Sequence, residues 1–362
     1  VVEVFDRIGG DDYEQVVYCH DRGSGLRAII AVHSTRLGPA LGGTRYHRYG
    51  SEDEALDDVL RLARAMTYKA AAAGLDLGGG KAVILGDPAA KSEALLRAYA
   101  RFVDALGGRY VTAEDVGTTQ SDMDLIRRET RHVTGVSPEL GGSGDPSAAT
   151  AVGVVWAMKA VARHLWGDTS LEGRHVTVSG VGKVGGHLVR HLVEEQARVS
   201  VADVDAGAVA RVVTSLGVEA VPADTAHRTP CDIFAPCALG GALNATTIPE
   251  LACAAVVGSA NNQLADADCA RLLEKAGVLY ATDYVVNAGG LVNIAEELAP
   301  GGYHERRAAA AVGRIFDTTA ALLDLAETGA VSTADAADRL AEQRIDEVGR
   351  VSGIRPPSRG WS

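Results

Sequence analysis

A two-domain α/β fold is predicted by three observations. The chain has 362 residues, enough for two separate cores. Strand-like runs alternate with helical patterns through its second half, the order that builds a parallel, doubly wound sheet. A G-x-G-x-x-G, Gly180-Val181-Gly182-Lys183-Val184-Gly185, stands between a strand signal and a helix signal.

The elements follow in chain order. Residues 14–19 and 26–33 are rich in Val and Ile and flank the turn Asp21-Arg22-Gly23-Ser24-Gly25, which predicts two strands. Ser51 is a good N-cap, and Glu54 three residues on completes a capping-box pattern. Ala55, Leu56, Val59, Leu60, Ala63 and Met66 then recur at helical spacing, so a helix runs toward Lys69. A second helix is expected over 92–106, stopped by Gly107-Gly108, and a short strand over 109–113 that ends at Glu114-Asp115. Gly141-Gly142-Ser143-Gly144-Asp145-Pro146-Ser147 is the clearest linker, and a domain boundary with a possible hinge is placed there. Beyond it come a helix over 149–164, a strand over 175–179, the glycine loop, a helix over 183–195 and a strand over 198–202. Short apolar runs at 233–235, 254–257 and 277–280 supply further strands, and two helices close the chain over 305–328 and 333–351.

Composition excludes several classes of function. Net charge is −12, with no basic run and no basic-aromatic interleaving, so neither nucleic acid nor an anionic membrane is an expected partner. No stretch approaches 18 uninterrupted apolar residues, and no basic segment leads into an apolar one at the N-terminus. The five cysteines are odd in number and lack C-x-x-C or zinc-ligand spacing, which suits free thiols in a reducing cytoplasm and no metal site. His187 and His191 share a helix face without further ligands nearby in sequence, and read as packing or surface residues.

The glycine loop has its full context. It follows a strand and opens a helix, and Asp203 closes the next strand 23 residues after Gly180. The glycines allow a tight turn and bring a pyrophosphate up to the free N–H groups of a helix N-terminus. Asp203 can accept hydrogen bonds from a ribose 2′-hydroxyl and would repel a 2′-phosphate, with Asp205 adding to the repulsion, so NAD is expected over NADP. Lys183 inside the loop is open to two readings, a phosphate neutraliser or a solvated lysine.

A second glycine cluster, Gly78-Gly79-Gly80-Lys81, follows Lys69 by twelve residues at Lys81. Three consecutive glycines are costly to order inside a regular element, so they are expected as a loop where the backbone closes on something, leading into a strand over 82–85. A lysine delivered there can be partly desolvated, which makes its amine a usable base. The plainer alternative is a glycine turn with a solvated lysine.

Taken in order, Leu37-Gly38-Pro39-Ala40-Leu41-Gly42-Gly43-Thr44-Arg45, the two lysine segments, Thr112-Ala113-Glu114-Asp115-Val116-Gly117-Thr118, the glycine loop, Gly258-Ser259-Ala260-Asn261-Asn262-Gln263 and Asn287-Ala288-Gly289-Gly290 resemble one family along nearly the whole chain. It is the amino acid dehydrogenases of the glutamate/leucine/phenylalanine/valine group, and the resemblance is strongest to the branched-chain branch, above all valine dehydrogenase. The resemblance implies a substrate and oligomerisation domain (1–146), a Rossmann-type NAD domain (147–328), a cleft between them that closes, and C-terminal helices (329–362) returning to the first domain. It implies a homo-oligomer, with dimer and octamer both open.

The resemblance also assigns roles. Lys69 holds the substrate α-carboxylate beside the backbone of Gly42 and Gly43; Lys81 is the catalytic base; Asp115 shuttles a proton at the amino group; Thr150 and Asn262 position the nicotinamide end of the cofactor. Burial and the neighbouring Lys69 would both tune Lys81 toward its neutral form. The implied reaction takes a hydride from Cα of an L-amino acid to NAD⁺, after which water attacks the iminium and ammonia leaves a 2-oxo acid. In glutamate dehydrogenases the position of Leu41 resembles a lysine that binds the side-chain carboxylate, and a hydroxyl-bearing pocket position matches Ile294. Here both are apolar, and a glutamate carboxylate would lose its water without a partner. Leu41, Leu291 and Ile294 would form a small aliphatic pocket for valine, leucine and isoleucine rather than phenylalanine. One methylene is worth about 1–3 kcal/mol in such a pocket, so selectivity within that set is soft. Rival expectations are phenylalanine dehydrogenase and a non-catalytic NAD-binding regulator.

Overall fold

The computed structural model describes residues 3–350, which divide into two compact units. The first takes in the chain up to Asp145, then Ile294–His304 and the chain from Leu340; the second comprises Pro146–Asn293 and Glu305–Arg339. The break at Asp145 falls in the glycine-rich linker. Two assignments differ from the expected division: Ile294–His304 belongs with the first unit, and the chain rejoins that unit at Leu340 rather than at 329. Residues 351–362 of the expected C-terminal segment lie outside the described residues.

The first unit holds α1 (Val4–Gly10), β1 (Gln15–Asp21), β2 (Leu26–Ser34), β3 (Ala40–His47), α2 (Glu52–Ala72), β4 (Gly78–Leu85), α3 (Glu93–Ala105), β5 (Tyr110–Glu114) and α4 (Gln120–Ile126). Its five strands lie in the order β1-β2-β4-β3-β5. β2 is antiparallel to β1 and β4, whereas β3 is parallel to β4 and β5, so the sheet is mixed. Strand alternation loads both faces. Ile29, Ala31 and Val83 pack on Ala55, Leu56, Val59, Leu60 and Ala63 of α2. Ile30, Val32, Ala82 and Ile84 pack on Leu95, Leu96 and Tyr99 of α3 and on Met123 and Ile126 of α4.

The helix signals act as expected, with one change. Ser51 accepts from Glu54 N at 3.1 Å. The Glu54 carboxylate, however, reaches back to Gly50 N at 2.8 Å and not to the N-cap residue itself, so the reciprocal half of the box is shifted by one residue. α2 also runs past Lys69, ending at Ala72.

The second unit opens with α5 (Ser147–Trp166), β6 (His175–Ser179), α6 (Lys183–Glu194), β7 (Arg198–Ala202), α7 (Ala206–Leu216), β8 (Glu219–Ala220), β9 (Ile233–Pro236) and β10 (Ala255–Val256). It continues with α8 (Asp268–Ala276), β11 (Leu279–Tyr280), α9 (Asp283–Val286) and most of α10 (Gly289–Ala295), then α11 (Glu305–Gly313), α12 (Ile315–Gly329) and the start of α13 (Thr333–Gly349), whose residues from Leu340 on belong to the first unit. The helix expected over 305–328 is thus two helices, parted at Arg314. The six strands lie in the order β11-β10-β9-β6-β7-β8 with every pair parallel. Counted from β6, the chain builds outward to β8 and then returns to add β9, β10 and β11 on the other side. This is the doubly wound order with its switch point between β6 and β9, beyond whose carboxyl ends ligands bind.

Among the described residues, no helix is long and apolar enough to cross a membrane, and no group of three or more His, Cys, Asp or Glu side chains is placed to hold a metal ion. His191 contacts Glu194 of its own helix. All five cysteines are free thiols, Cys19 and Cys269 buried and the other three half-buried.

Candidate active site

The triple glycine is strand, not loop. Gly78, Gly79 and Gly80 open β4 and are all buried. None takes a left-handed backbone. What closes on them is the rest of the protein, main chain at Gly78 and Gly79 and a tyrosine ring at Gly80. A Cβ on Gly78 would fall on the Ser34 carbonyl, and one on Gly79 on the Thr67 backbone of α2. One on Gly80 would sit 2.8 Å from the Tyr110 ring. A side chain at Gly79 would push α2 off the sheet, and one at Gly78 or Gly80 would force its neighbouring strands apart. Lys81 follows directly, opposite Ala31 of β2, so its position on the α2 face is fixed by a strand.

Gly42 and Gly43 occupy the adjoining strand β3, which sequence patterning missed because a glycine pair and polar residues interrupt its apolar alternation. The β3–β4 register pairs Ala40 and Leu41 with Gly78 and Gly79 and resumes at Thr44 with Ala82. The ladder therefore lapses where Gly42 and Gly43 face Gly80 and Lys81. A Cβ on Gly43 would meet Glu114 O at 2.6 Å and the Asp115 Cβ at 2.8 Å, and one on Gly42 would press on the Gly80 carbonyl and lie 3.4 Å from Met66. Lys69 stands one turn beyond Met66 on α2, on the same side of the helix and half-buried.

Lys81 and Asp115 are brought together. Nζ lies 2.8 Å from Oδ2 of Asp115, with side-chain exposures of 8% and 21%. Arg45 of β3 closes on the same oxygen, Nε to Oδ2 at 3.3 Å. The other end of Arg45 donates to Asp58 Oδ2 of α2 at 2.9 Å. Asp58 is further held by the Tyr49 hydroxyl at 2.8 Å and by Arg61 at 2.6 Å. Burial pushes the Asp115 carboxyl up, but the Lys81 charge and then the Arg45 charge outweigh it and hold the group below the usual carboxylate range. For Asp58, burial again raises, while the Tyr49 hydroxyl and then Arg45 lower, with a net downward shift. Thr118 fixes the backbone of Asp115, its Oγ1 receiving Asp115 N at 2.9 Å.

Arg45, Asp58 and Tyr49 are members of this network that sequence reasoning missed as site residues. Arg45 was visible only as the end of a motif, and Asp58 is one of several acids on the outer turns of a helix. Nothing in their spacing says that one guanidinium joins two strands to a helix. Beneath them, Thr44, Tyr99 and Thr112 form a buried hydroxyl cluster, and the Tyr110 hydroxyl donates to Gly42 O at 2.6 Å, which pins β3.

In the second unit each loop glycine has a distinct reason. Gly180 turns left-handed at φ +105 and would clash with Ala238 N at 2.7 Å if substituted. A Cβ on Gly185 would fall on the Gly180 carbonyl, so the helix can only approach β6 without one. Gly182 meets nothing within 4 Å. No part of the unit requires it to be bare, and it sits at the N-cap of α6, where free N–H groups favour an anion. The donors and the open space fit the pyrophosphate of a dinucleotide. Val181 N donates to Asp203 Oδ2 at 2.8 Å, and Asp203 Oδ1 accepts from Asp205 N at 2.9 Å, so this carboxylate also ties the loop to the end of β7. Lys183 and Val184 begin α6. Asp205 caps α7, accepting from Gly207 N and Ala208 N.

Thr150, Asn262 and Leu291 also belong to the second unit. Thr150 Oγ1 donates to Pro146 O at 3.0 Å and lies where a Cβ on Gly290 would press against it. Asn262 is exposed and left-handed at φ +52, and its carbonyl accepts from Gly241 N. Leu41 is wholly buried in the first unit; Ile294 is half-buried and assigned to that unit, and Leu291 is buried in α10.

Comparison with known proteins places these residues in context. Residues 13–132 match the family described as Glu/Leu/Phe/Val dehydrogenase, dimerisation domain, and residues 141–213 and 205–301 match Glutamate/Leucine/Phenylalanine/Valine dehydrogenase. The chain is 53% identical over 346 residues to leucine dehydrogenase from Geobacillus stearothermophilus, covering 95% of this chain and 94% of that one. It is 55% identical over 339 residues to valine dehydrogenase from Streptomyces virginiae, covering 92% and 94%. The crystal structure of L-tryptophan dehydrogenase from Nostoc punctiforme superposes with a TM-score of 0.85 at 43% identity, over 96% of this chain and 99% of that one.

Proposed function

The chain belongs to the Glu/Leu/Phe/Val dehydrogenases, oxidoreductases acting on the CH–NH₂ group of amino acids, and we propose that it deaminates branched-chain L-amino acids with NAD⁺. Valine, leucine and isoleucine are the substrates of this reading, and the reaction is reversible. The observation that carries it is the buried Lys81–Asp115 pair, on the same sheet face as the wholly buried Leu41.

The proposed roles are those the family resemblance implies, and the contact between Lys81 and Asp115 supports them. Lys69 pairs with the substrate α-carboxylate beside Gly42 and Gly43, where the β3–β4 ladder lapses. Lys81 takes a proton from the amine and later from the attacking water. The 2.8 Å contact lets that proton pass to and from Asp115, so Nζ is free to act again. Asp115 carries negative charge against the cationic iminium of the substrate. Bound NAD⁺ would supply the hydride acceptor, held by Gly180, Val181, Gly182, Lys183, Val184 and Gly185, with Asp203 at the adenosine ribose and Thr150 and Asn262 at the nicotinamide end. Water supplies the oxygen of the 2-oxo acid, and ammonia leaves.

The leucine and valine dehydrogenases among its relatives support the aliphatic substrate set. So does Leu41, which offers a carboxylate side chain nothing to pair with. Ile294, assigned to the same unit as Leu41, is proposed as a second apolar contact for the side chain. A cytoplasmic homo-oligomer, dimer or octamer, is proposed on the family resemblance.

The test is reduced-nicotinamide absorbance with purified enzyme, NAD⁺ or NADP⁺, and a panel of valine, leucine, isoleucine, phenylalanine and glutamate. Aliphatic substrates with NAD⁺ are expected to lead, and Lys81→Ala to lose on the order of 10²–10⁴-fold in kcat. A glutamate or phenylalanine preference overturns the pocket assignment. A flat panel with NAD⁺ still bound replaces the enzyme by a binding protein.

A further inference from the structure

Arg45 is the centre of a chain of alternating charges that crosses three elements: Lys81 on β4, Asp115 after β5, Arg45 on β3 and Asp58 on α2. Lys81 and Arg45 both close on Oδ2 of Asp115. Arg45 is itself prevented from swinging away, because Asp58 holds its far end at 2.9 Å. Asp58 in turn is fixed by Tyr49 and Arg61. Arg45 and Asp58 are both largely buried, with side-chain exposures of 23% and 14%, so this is an internal strut and not a surface ion pair.

We infer that Arg45, braced by Asp58, is a positioning residue for the reaction: it holds Asp115 Oδ2 in a fixed place against Lys81. The inference rests on the catalytic reading of Lys81 and Asp115. Arg45 acts on Asp115 and Asp58 acts on Arg45, and neither touches substrate in this scheme. A planar guanidinium suits the task, because its fork can reach one carboxylate through Nε and another through a terminal nitrogen; an ammonium is a single point charge.

Apart from burial, the groups that set the charge state of Asp115 are Lys81, Arg45, the Val116 backbone N–H and, within electrostatic reach, Tyr49 and Tyr110. Glu114 adjoins it in the chain, Lys69 stands in the last turn of α2, and Asp58 and Arg61 act through Arg45. Removing the Arg45 cation leaves burial opposed mainly by Lys81, so the Asp115 carboxyl rises. The acid limb of the pH profile then moves to higher pH.

The experiment is kcat and kcat/KM against pH for the wild-type enzyme, Arg45→Met, Arg45→Lys, Asp58→Asn and Lys81→Ala, with KM for NAD⁺ recorded alongside. Arg45→Met is expected to move the acid limb up by about one pH unit and to lower kcat on the order of 10- to 100-fold, with KM for NAD⁺ unchanged. Arg45→Lys keeps the charge but cannot bridge two carboxylates, so the acid limb stays near its wild-type position while kcat falls. Asp58→Asn releases the brace and lowers kcat without raising the acid limb. Wild-type kcat in Arg45→Lys and Asp58→Asn overturns the inference, and so does an unmoved acid limb in folded Arg45→Met while Lys81→Ala is inactive. Full turnover in Lys81→Ala instead overturns the catalytic reading beneath it.

Discussion

Two glycine-rich segments precede or contain a lysine in this chain, and the fold uses them in opposite ways. At Gly78-Gly79-Gly80 every missing side chain is replaced by the protein itself: the Ser34 carbonyl, the Thr67 backbone and the Tyr110 ring. At Gly180–Gly185 the first and last glycines are likewise consumed by the protein's own packing, but Gly182 faces open space at a helix N-terminus. The first segment therefore lets the neighbouring strands and α2 close tightly beside Lys81. The second holds one position bare for something that is not protein. Glycine in a motif is thus two different signals, and only the space beyond the absent Cβ separates them.

The contrast can be broken most forcefully at Gly79. Gly79→Ala drives a methyl into the Thr67 backbone, which cannot yield as a flexible side chain would. A loss of roughly 3 kcal/mol or more is expected from urea unfolding, together with little soluble enzyme. Wild-type stability would mean that α2 has room to retreat and that the strand glycines serve another end. Gly182→Ala is the opposite case. Its φ of −67 is open to any residue, so stability should change by no more than about 0.5 kcal/mol. Affinity for NAD⁺, read by fluorescence titration, should weaken roughly tenfold, equivalent to about 1.4 kcal/mol. Unchanged affinity would remove the pyrophosphate from this loop.

The smallest effect sharpens the first segment alone. Asp58 ionises below its ordinary range in the folded state. Its stabilisation is therefore present above the unfolded value of about 3.9 and is lost as pH falls through the lower folded value. Melting temperature followed downward from about pH 4 should fall less steeply in Asp58→Asn than in the wild type. Equal slopes would show that the brace contributes nothing to acid stability.

Much of the second unit was legible in advance because its signals are local. β6 and β7 stand where Val-rich runs placed them, and the glycine loop with Asp203 occupies the expected strand-to-helix turn. The first unit was legible where its signals are also local, as with Ser51 and Ser92, each of which accepts a hydrogen bond from a backbone N–H three residues on. It was least legible around its own candidate site. β3 went unseen and the three glycines of β4 were expected as loop, since strand propensity disfavours glycine and tertiary close approach overrode it.

The sequence by itself determined the fold class and the family, and through the family resemblance it proposed which lysines and which aspartate would do chemistry. Those are properties of residue type and of spacing within a few turns, which short-range hydrogen bonding and periodicity enforce. Only the tertiary structure decided that Lys81 lies against Asp115, that Arg45 shares the same carboxylate oxygen, and that Asp58 braces it. Only it assigned Ile294–His304 to the first unit after a long excursion through the second. Such contacts join residues far apart in the chain, and their formation depends on how closely backbones can pack, which no local pattern records.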